Sequence, residues 1–111
     1  MLFRSSLGQL YDPLHPALLR LLARVIRAGR RANKPVSLCG EIAGDISFTA
    51  LLLMLGLNEF SMHPSQILQV RDRLAALDRA HLRRHAAALL RAHTHEQVAA
   101  TLNTILGNAA P

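Results

Sequence analysis

The sequence predicts an α/β fold organised around one βαβ unit, and three observations carry the prediction. Residues 36–64, VSLCGEIAGDISFTALLLMLGLNEFSMHP, read as a short apolar strand, a glycine-bearing turn, a helix and a second strand. Hydrophobic residues make up 50% and charged residues 18%, which excludes a disordered chain. Aromatic residues are only 4%, with no tryptophan, so the core must be built from leucine, alanine, valine and isoleucine, as where helices cover a sheet. Strand, crossover helix and strand in this order give two parallel strands. Two strands do not stand alone, and parallel sheets are normally covered on both faces.

In chain order, YDPLH at 11–15 is a loop, and Pro16 takes the first helical position, where its missing amide costs nothing. A first helix runs to about Ala32 and ends at Asn33, Lys34 and Pro35, because Pro35 cannot continue the hydrogen-bond ladder. A buried strand at about 36–39 follows, closed by Cys39. In the turn GEIAGD, Gly40 and Gly44 supply unusual backbone angles or close approach, and Asp45 or Ser47 caps the helix over FTALLLMLG. Gly56 closes that helix. A second strand at about 59–62 leads through His63 and Pro64 into a helix from about Ser65 to Ala76. Asp78 caps a helix to Ala92, and THEQ at 94–97 reads as a capping box for a last helix to about Leu106. No repeat, low-complexity segment or linker divides the 111 residues, which read as one domain.

The formal charge is +6 and the pI about 11.3. Arg20, Arg24, Arg27 and Arg31 form one stripe of the first helix, opposite its leucines, and the remaining arginines are spread over later helices. No aromatic residues interleave to stack bases, so the charge reads as solvated helix faces rather than a nucleic-acid surface. A single cysteine excludes an internal disulfide or a structural zinc site needing two thiolates, and suits a reducing compartment. No secretory h-region is present, and the apolar run at 48–57 falls far short of the roughly 20 residues that span a bilayer. The expectation is a cytoplasmic protein with no membrane partner. Of the six histidines, His81 and His85 are spaced i, i+4 and could hold a metal on one helix face; with no third ligand in sight they read as exposed helix histidines. Cys39 taken alone reads first as a small buried hydrophobe, and second as a reactive group.

The segments YDPLHPALLRLL, KPVSLCGEIAGD and LLLMLGLNEFSMHPSQI closely resemble the carboxy-terminal end of enzyme I of the bacterial phosphotransferase system, within the PEP-utilising enzymes. The likeness runs from about Gly8 through the EFSM strand and continues more weakly to the last helix. CGEIAGD and GLNEFSM in this order and spacing are its specific part. The resemblance implies the terminal quarter of a (β/α)8 TIM-type barrel that binds phosphoenolpyruvate, with strands 36–39 and 59–62 as its seventh and eighth, followed by C-terminal helices.

The resemblance reverses the reading of Cys39, which it implies is the proton donor to the methylene carbon of enolpyruvate. An ordinary thiol, titrating near ~8.5, is mostly protonated at neutral pH and serves as an acid without tuning. The resemblance also brings in Gly40, whose amide could donate to a substrate oxygen, and Glu41, which could orient neighbouring groups or pair with a basic residue. The complete family enzyme uses Mg2+, binds phosphoenolpyruvate or pyruvate, dimerises through this domain and passes phosphate to the phosphocarrier protein HPr. The family's magnesium carboxylates, phosphate-clamping arginines and phosphorylated histidine lie upstream of the segment matched, and no metal ligand maps onto this chain. MLFRSS does not resemble the family's continuation, so the expectation is a terminal fragment, inactive alone, from a broken or shifted reading frame. The alternative is a non-catalytic assembly module that binds intact enzyme I.

Overall fold

The computed structural model describes residues 12–107; Tyr11 and the opening MLFRSS lie outside them. Helix α1 (Pro16–Arg31) begins where Pro16 predicts, with an unusual cap: the His15 Nδ1 accepts the Ala17 N–H at 3.1 Å. Its buried residues Leu19, Ala23 and Ile26 recur at helical spacing and face the core. Arg24, Arg27 and Arg31 are exposed as expected. Arg20 departs from a purely solvated role: its guanidinium donates to the Leu90 and Ala92 carbonyls at 3.2 and 2.6 Å. Those are carbonyls at the end of a later helix, where cationic donors are favoured.

Helix α1 closes on Asn33, whose φ of 56° is left-handed. The Asn33 amide bonds the Arg30 carbonyl at 3.1 Å and the Lys34 amide bonds Gly29 at 2.8 Å, a paired closure that reverses the chain into strand β1 (Ser37–Leu38). After Gly40, residues Glu41–Gly44 form one helical turn, α2, rather than the expected open turn. Asp45 then caps α3 (Ile46–Met54), its carboxylate accepting the Ser47 amide at 2.9 Å. Helix α3 ends as α1 does. Gly56, at φ 100°, donates to Leu53, and Leu57 donates to Leu52. Strand β2 (Glu59–Phe60) follows directly and pairs in parallel with β1, Ser37 opposite Glu59 and Leu38 opposite Phe60.

The parallel pairing is as predicted, but both strands are shorter than 36–39 and 59–62, and β1 is not buried. Ser37 is exposed and Leu38 half-buried. A two-stranded sheet leaves each strand one open edge, so the ladder ends where the partner's backbone ends.

Beyond β2, a 3-10 turn (Pro64–Gln66) runs into α4 (Ile67–Ala75), a modest change from the expected start at Ser65. The helix expected from Asp78 to Ala92 is instead two, α5 (Arg79–Arg84) and α6 (Ala86–Leu90). His85 causes the break. Its Nδ1 takes the His81 carbonyl at 2.8 Å, the partner its own amide would use in a continuous helix, and that amide turns to Leu82 instead. Helix α7 (His95–Leu106) is capped by Thr94 on the Gln97 amide; the Gln97 side chain bonds the His93 amide rather than that of Thr94. The core joins Leu51, Leu52 and Leu57 to Leu19, Leu82, Leu89 and Val98.

Replacing Gly56 tests this closure, since an added Cβ would carry the left-handed penalty and lie 2.9 Å from the Arg30 guanidinium, which itself bonds the Gly56 carbonyl at 3.2 Å. Gly56→Ala is expected to cost about 1–2 kcal/mol, read from urea denaturation, whereas Gly29→Ala within α1 would act through a clash with Val36 instead.

Candidate functional site

The polarity of the parallel pair decides where a site can form. Both strands run the same way, so the residues that leave their carboxyl ends meet at one rim. Cys39, Gly40 and Glu41 from β1, with Ser61, Met62, His63 and Gln66 from β2, line an open cleft of about 370 Å³ there. The Ser61 amide donates to the Leu38 carbonyl at 2.8 Å, fixing the two exits side by side.

Gly40 is required by its backbone: φ is 95° with ψ −169°, a region closed to residues with a side chain. A Cβ at Gly40 would meet nothing within 4 Å, so the site needs its conformation rather than its small size. Gly44 is the reverse case. A Cβ there would fall 2.1 Å from the Gln66 side-chain oxygen, so Gly44 makes room for Gln66 and packs the loop after β1 onto the 3-10 turn after β2. The turn is capped by His63, whose Nδ1 accepts the Ser65 N–H at 3.2 Å. A backbone N–H only donates, so the neutral imidazole carries its proton on Nε2.

The structure therefore brings the three residues singled out in the sequence, Cys39, Gly40 and Glu41, to one cleft. Cys39 is exposed, which overturns its reading as a buried hydrophobe. Ser61, His63 and Gln66 are not singled out by the sequence; the signal that finds them is position, immediately beyond a strand parallel to the one that ends at Cys39. Glu41 is the one carboxylate in the cleft's lining. Magnesium takes a near-octahedral oxygen set from carboxylates, phosphates and water, so these residues do not make a magnesium site by themselves. Among the described residues no group of three or more His, Cys, Asp or Glu could share a metal ion.

His81 and His85 are half-buried rather than exposed, with rings 4.6 Å apart. The His81 Nε2 lies 3.1 Å from the Ile105 carbonyl, tying α5 to α7, and the His85 Nδ1 bonds the His81 carbonyl at the end of α5, so each spends one ring nitrogen within the fold. Two further features flank the sheet. A second cleft of about 340 Å³, with Asn33, Lys34, Asn58 and Glu59 in its lining, sits at the opposite, amino end of the strands. An apolar groove of about 80 Å³ lined by Leu22, Val25, Val36 and Leu38 borders β1; Val25 is 49% exposed, and Leu21 of the same helix 57%. No helix among the described residues is long and apolar enough to cross a membrane.

Exposure of the lone thiol gives a direct expectation. Ellman's reagent is expected to titrate one thiol in the native chain at a rate close to that of the denatured chain; slow reaction that speeds on unfolding would restore the buried reading.

The sequence matches the family described as PEP-utilising enzyme, PEP-binding domain, over residues 4–79. It is 56% identical over 70 residues to the phosphoenolpyruvate-protein phosphotransferase of Cupriavidus necator, covering 63% of this chain and 12% of that protein. It is 42% identical over 81 residues to the protein of the same name from Priestia megaterium, covering 73% of this chain and 14% of the other. A third, from Geobacillus stearothermophilus, is 47% identical over 73 residues, 66% of this chain and 13% of the relative. The chain thus spans only a small part of the length of these relatives, and the matched region contains both exits that build the Cys39 cleft. On the match over residues 4–79, the chain belongs to the PEP-utilising enzyme family, to which it contributes sequence of the PEP-binding domain.

Proposed function

We propose that residues 1–111 are one terminal segment of a phosphoenolpyruvate-binding (β/α)8 barrel, and that Cys39 is its proton donor. The observation that carries this reading is the cleft: an exposed thiol at the carboxyl end of a parallel strand, at the rim where barrel enzymes build their sites. In the proposed step the Cys39 S–H bond breaks and its proton joins the methylene carbon of enolpyruvate. The double-bond electron pair forms that C–H bond, the enolate oxygen becomes the pyruvate carbonyl, and the thiolate recovers a proton from water. The Gly40 amide donates to a substrate oxygen, and Glu41 orients the groups around it.

The segment does not complete this chemistry alone. Phosphoryl transfer depends on metal and cationic groups that neutralise charge, and losing even one such stabiliser costs about 10²–10³ in rate. The cleft offers one carboxylate and no arginine. Magnesium, the phosphate clamp, the phosphorylated histidine and contact with HPr are therefore supplied by the rest of an enzyme I, in the cytoplasm. A second reading is favoured by the exposed Val25 in the groove along β1 and Leu21 of the same helix: the chain is an assembly module that docks on intact enzyme I without catalysing.

The test mixes the purified chain with a relative from which the matching segment has been removed, and follows phosphoenolpyruvate consumption. The mixture should regain turnover, and Cys39→Ala should lower it by about 10²–10⁴, with none from the chain alone. Turnover by the chain alone, or a restored rate indifferent to Cys39→Ala, would contradict the proposal. Co-purification with the intact relative, without rescue of the shortened one, would favour the assembly module.

A further inference from the structure

All seven aspartates and glutamates of the sequence lie between residues 12 and 107, together with 12 of the 13 lysines and arginines. Among the described residues no lysine or arginine pairs with a carboxylate; Asp12 instead lies 2.7 Å from the His95 Nδ1. The arginines there are thus unmatched by aspartate or glutamate among the described residues, and at one place three of them line the same cleft. Arg27 and Arg30 from α1 and Arg83 from α5 line a cleft of about 130 Å³ whose floor includes Ile26, Met54 and Leu90. These helices are remote in sequence, so only the fold assembles the trio. No carboxylate lines the cleft. Glu59 lines a neighbouring cleft that Arg30 also borders, and does not pair with it.

We propose that this notch is an oxyanion site for the phosphate group of a small ligand, separate from the Cys39 cleft and independent of the role proposed for it. Arg27, Arg30 and Arg83 are exposed side chains that border one notch with an apolar floor, and like charges gathered around one notch favour a bound anion. Arg30 is already held in place through its bond to the Gly56 carbonyl at 3.2 Å, which leaves its remaining N–H groups to donate outward. Planar guanidinium forks suit tetrahedral oxyanions, which they grip by paired hydrogen bonds. The volume sets the ligand class. Pockets for drug-sized ligands run to about 300–1,000 Å³, so this one admits a phosphate group and not a whole nucleotide.

The sequence alone hides the site, because Arg27 belongs to a regular exposed stripe and Arg83 to a scattered later set. What distinguishes the trio from a solvated basic face is that residues of two helices border one notch, and that difference is measurable. Inorganic phosphate is titrated into the full chain while the arginine Nε–Hε signals are followed by NMR. Arg27, Arg30 and Arg83 should shift along one saturable curve, while Arg24 and Arg31, exposed on the same helix, move little. Arg83→Gln should weaken phosphate binding at least about tenfold, the change expected for loss of one charge-assisted hydrogen bond. Arg27→Gln should do the same, and Arg24→Gln should leave binding unchanged. All three altered side chains are exposed, so the fold is retained. Shifts that never saturate and are shared by every exposed arginine would overturn the proposal. So would equal losses in Arg24→Gln and Arg83→Gln, or binding of duplex DNA without saturable phosphate binding, which would mark a diffuse electrostatic face.

Discussion

Burial of the crossover helix α3 is the constraint on which the rest of the structure depends. From Thr49 to Leu57 every residue is buried, with Leu51 and Leu52 at 1% exposure, so the segment cannot sit on a surface and must be enclosed on all sides. A helix of that kind between two strands forces them to run in the same direction, because the chain must return along the sheet before it can pair again. The enclosing residues come from both ends of the chain: Leu19 and Ile26 from α1, Leu82 from α5, Leu89 from α6, Val98 and Leu102 from α7. Helices after β2 thus take part in the same core as the βαβ unit and cover it.

Two similar closures deliver the chain to the strands. Asn33 and Gly56 both adopt left-handed backbone, each with its following residue bonded back into the helix just completed. They lie at the amino end of the sheet, where Arg30 ties α1 to the Gly56 carbonyl. The carboxyl end is built differently. There Gly40 turns the chain into a single helical turn, and Gly44 and Gln66 interlock the two exits. One end therefore holds the helices in place, while the other leaves Cys39, Glu41 and His63 around an open cleft. This division of labour matches the general arrangement of parallel α/β sheets, in which chemistry gathers beyond the carboxyl ends of the strands.

Much of this was legible in the sequence because the signals are local. Pro16, Asp45 and Thr94 mark helix starts through their own backbone or side-chain chemistry, and Gly56 marks a stop. The parallel pair followed from order alone, and Cys39 stood out as the only cysteine. What stayed hidden depends on partners far along the chain or on competition between bonds. The strands could not be sized, because ladder length is set by the neighbour and each strand here has one. The break at His85 is decided by a side chain taking a carbonyl from its own backbone, which the hydrophobic pattern does not register. Arg20 reading the end of α6, and Gln66 lying against Gly44, both depend on contacts that only the folded chain creates.

The cleft, the exposure of Cys39 and the interlock of Gly44 with Gln66 all follow from the parallel pair of β1 and β2. Amide hydrogen exchange resolved by residue is the most direct measurement. The Ser61 amide, bonded to the Leu38 carbonyl at 2.8 Å, should exchange far more slowly than amides of exposed loop residues. Exchange of Ser61 at the unprotected rate, while the amides of Leu51 and Leu52 within α3 stay protected, would show a helical core without its strand pair and would contradict the site described here.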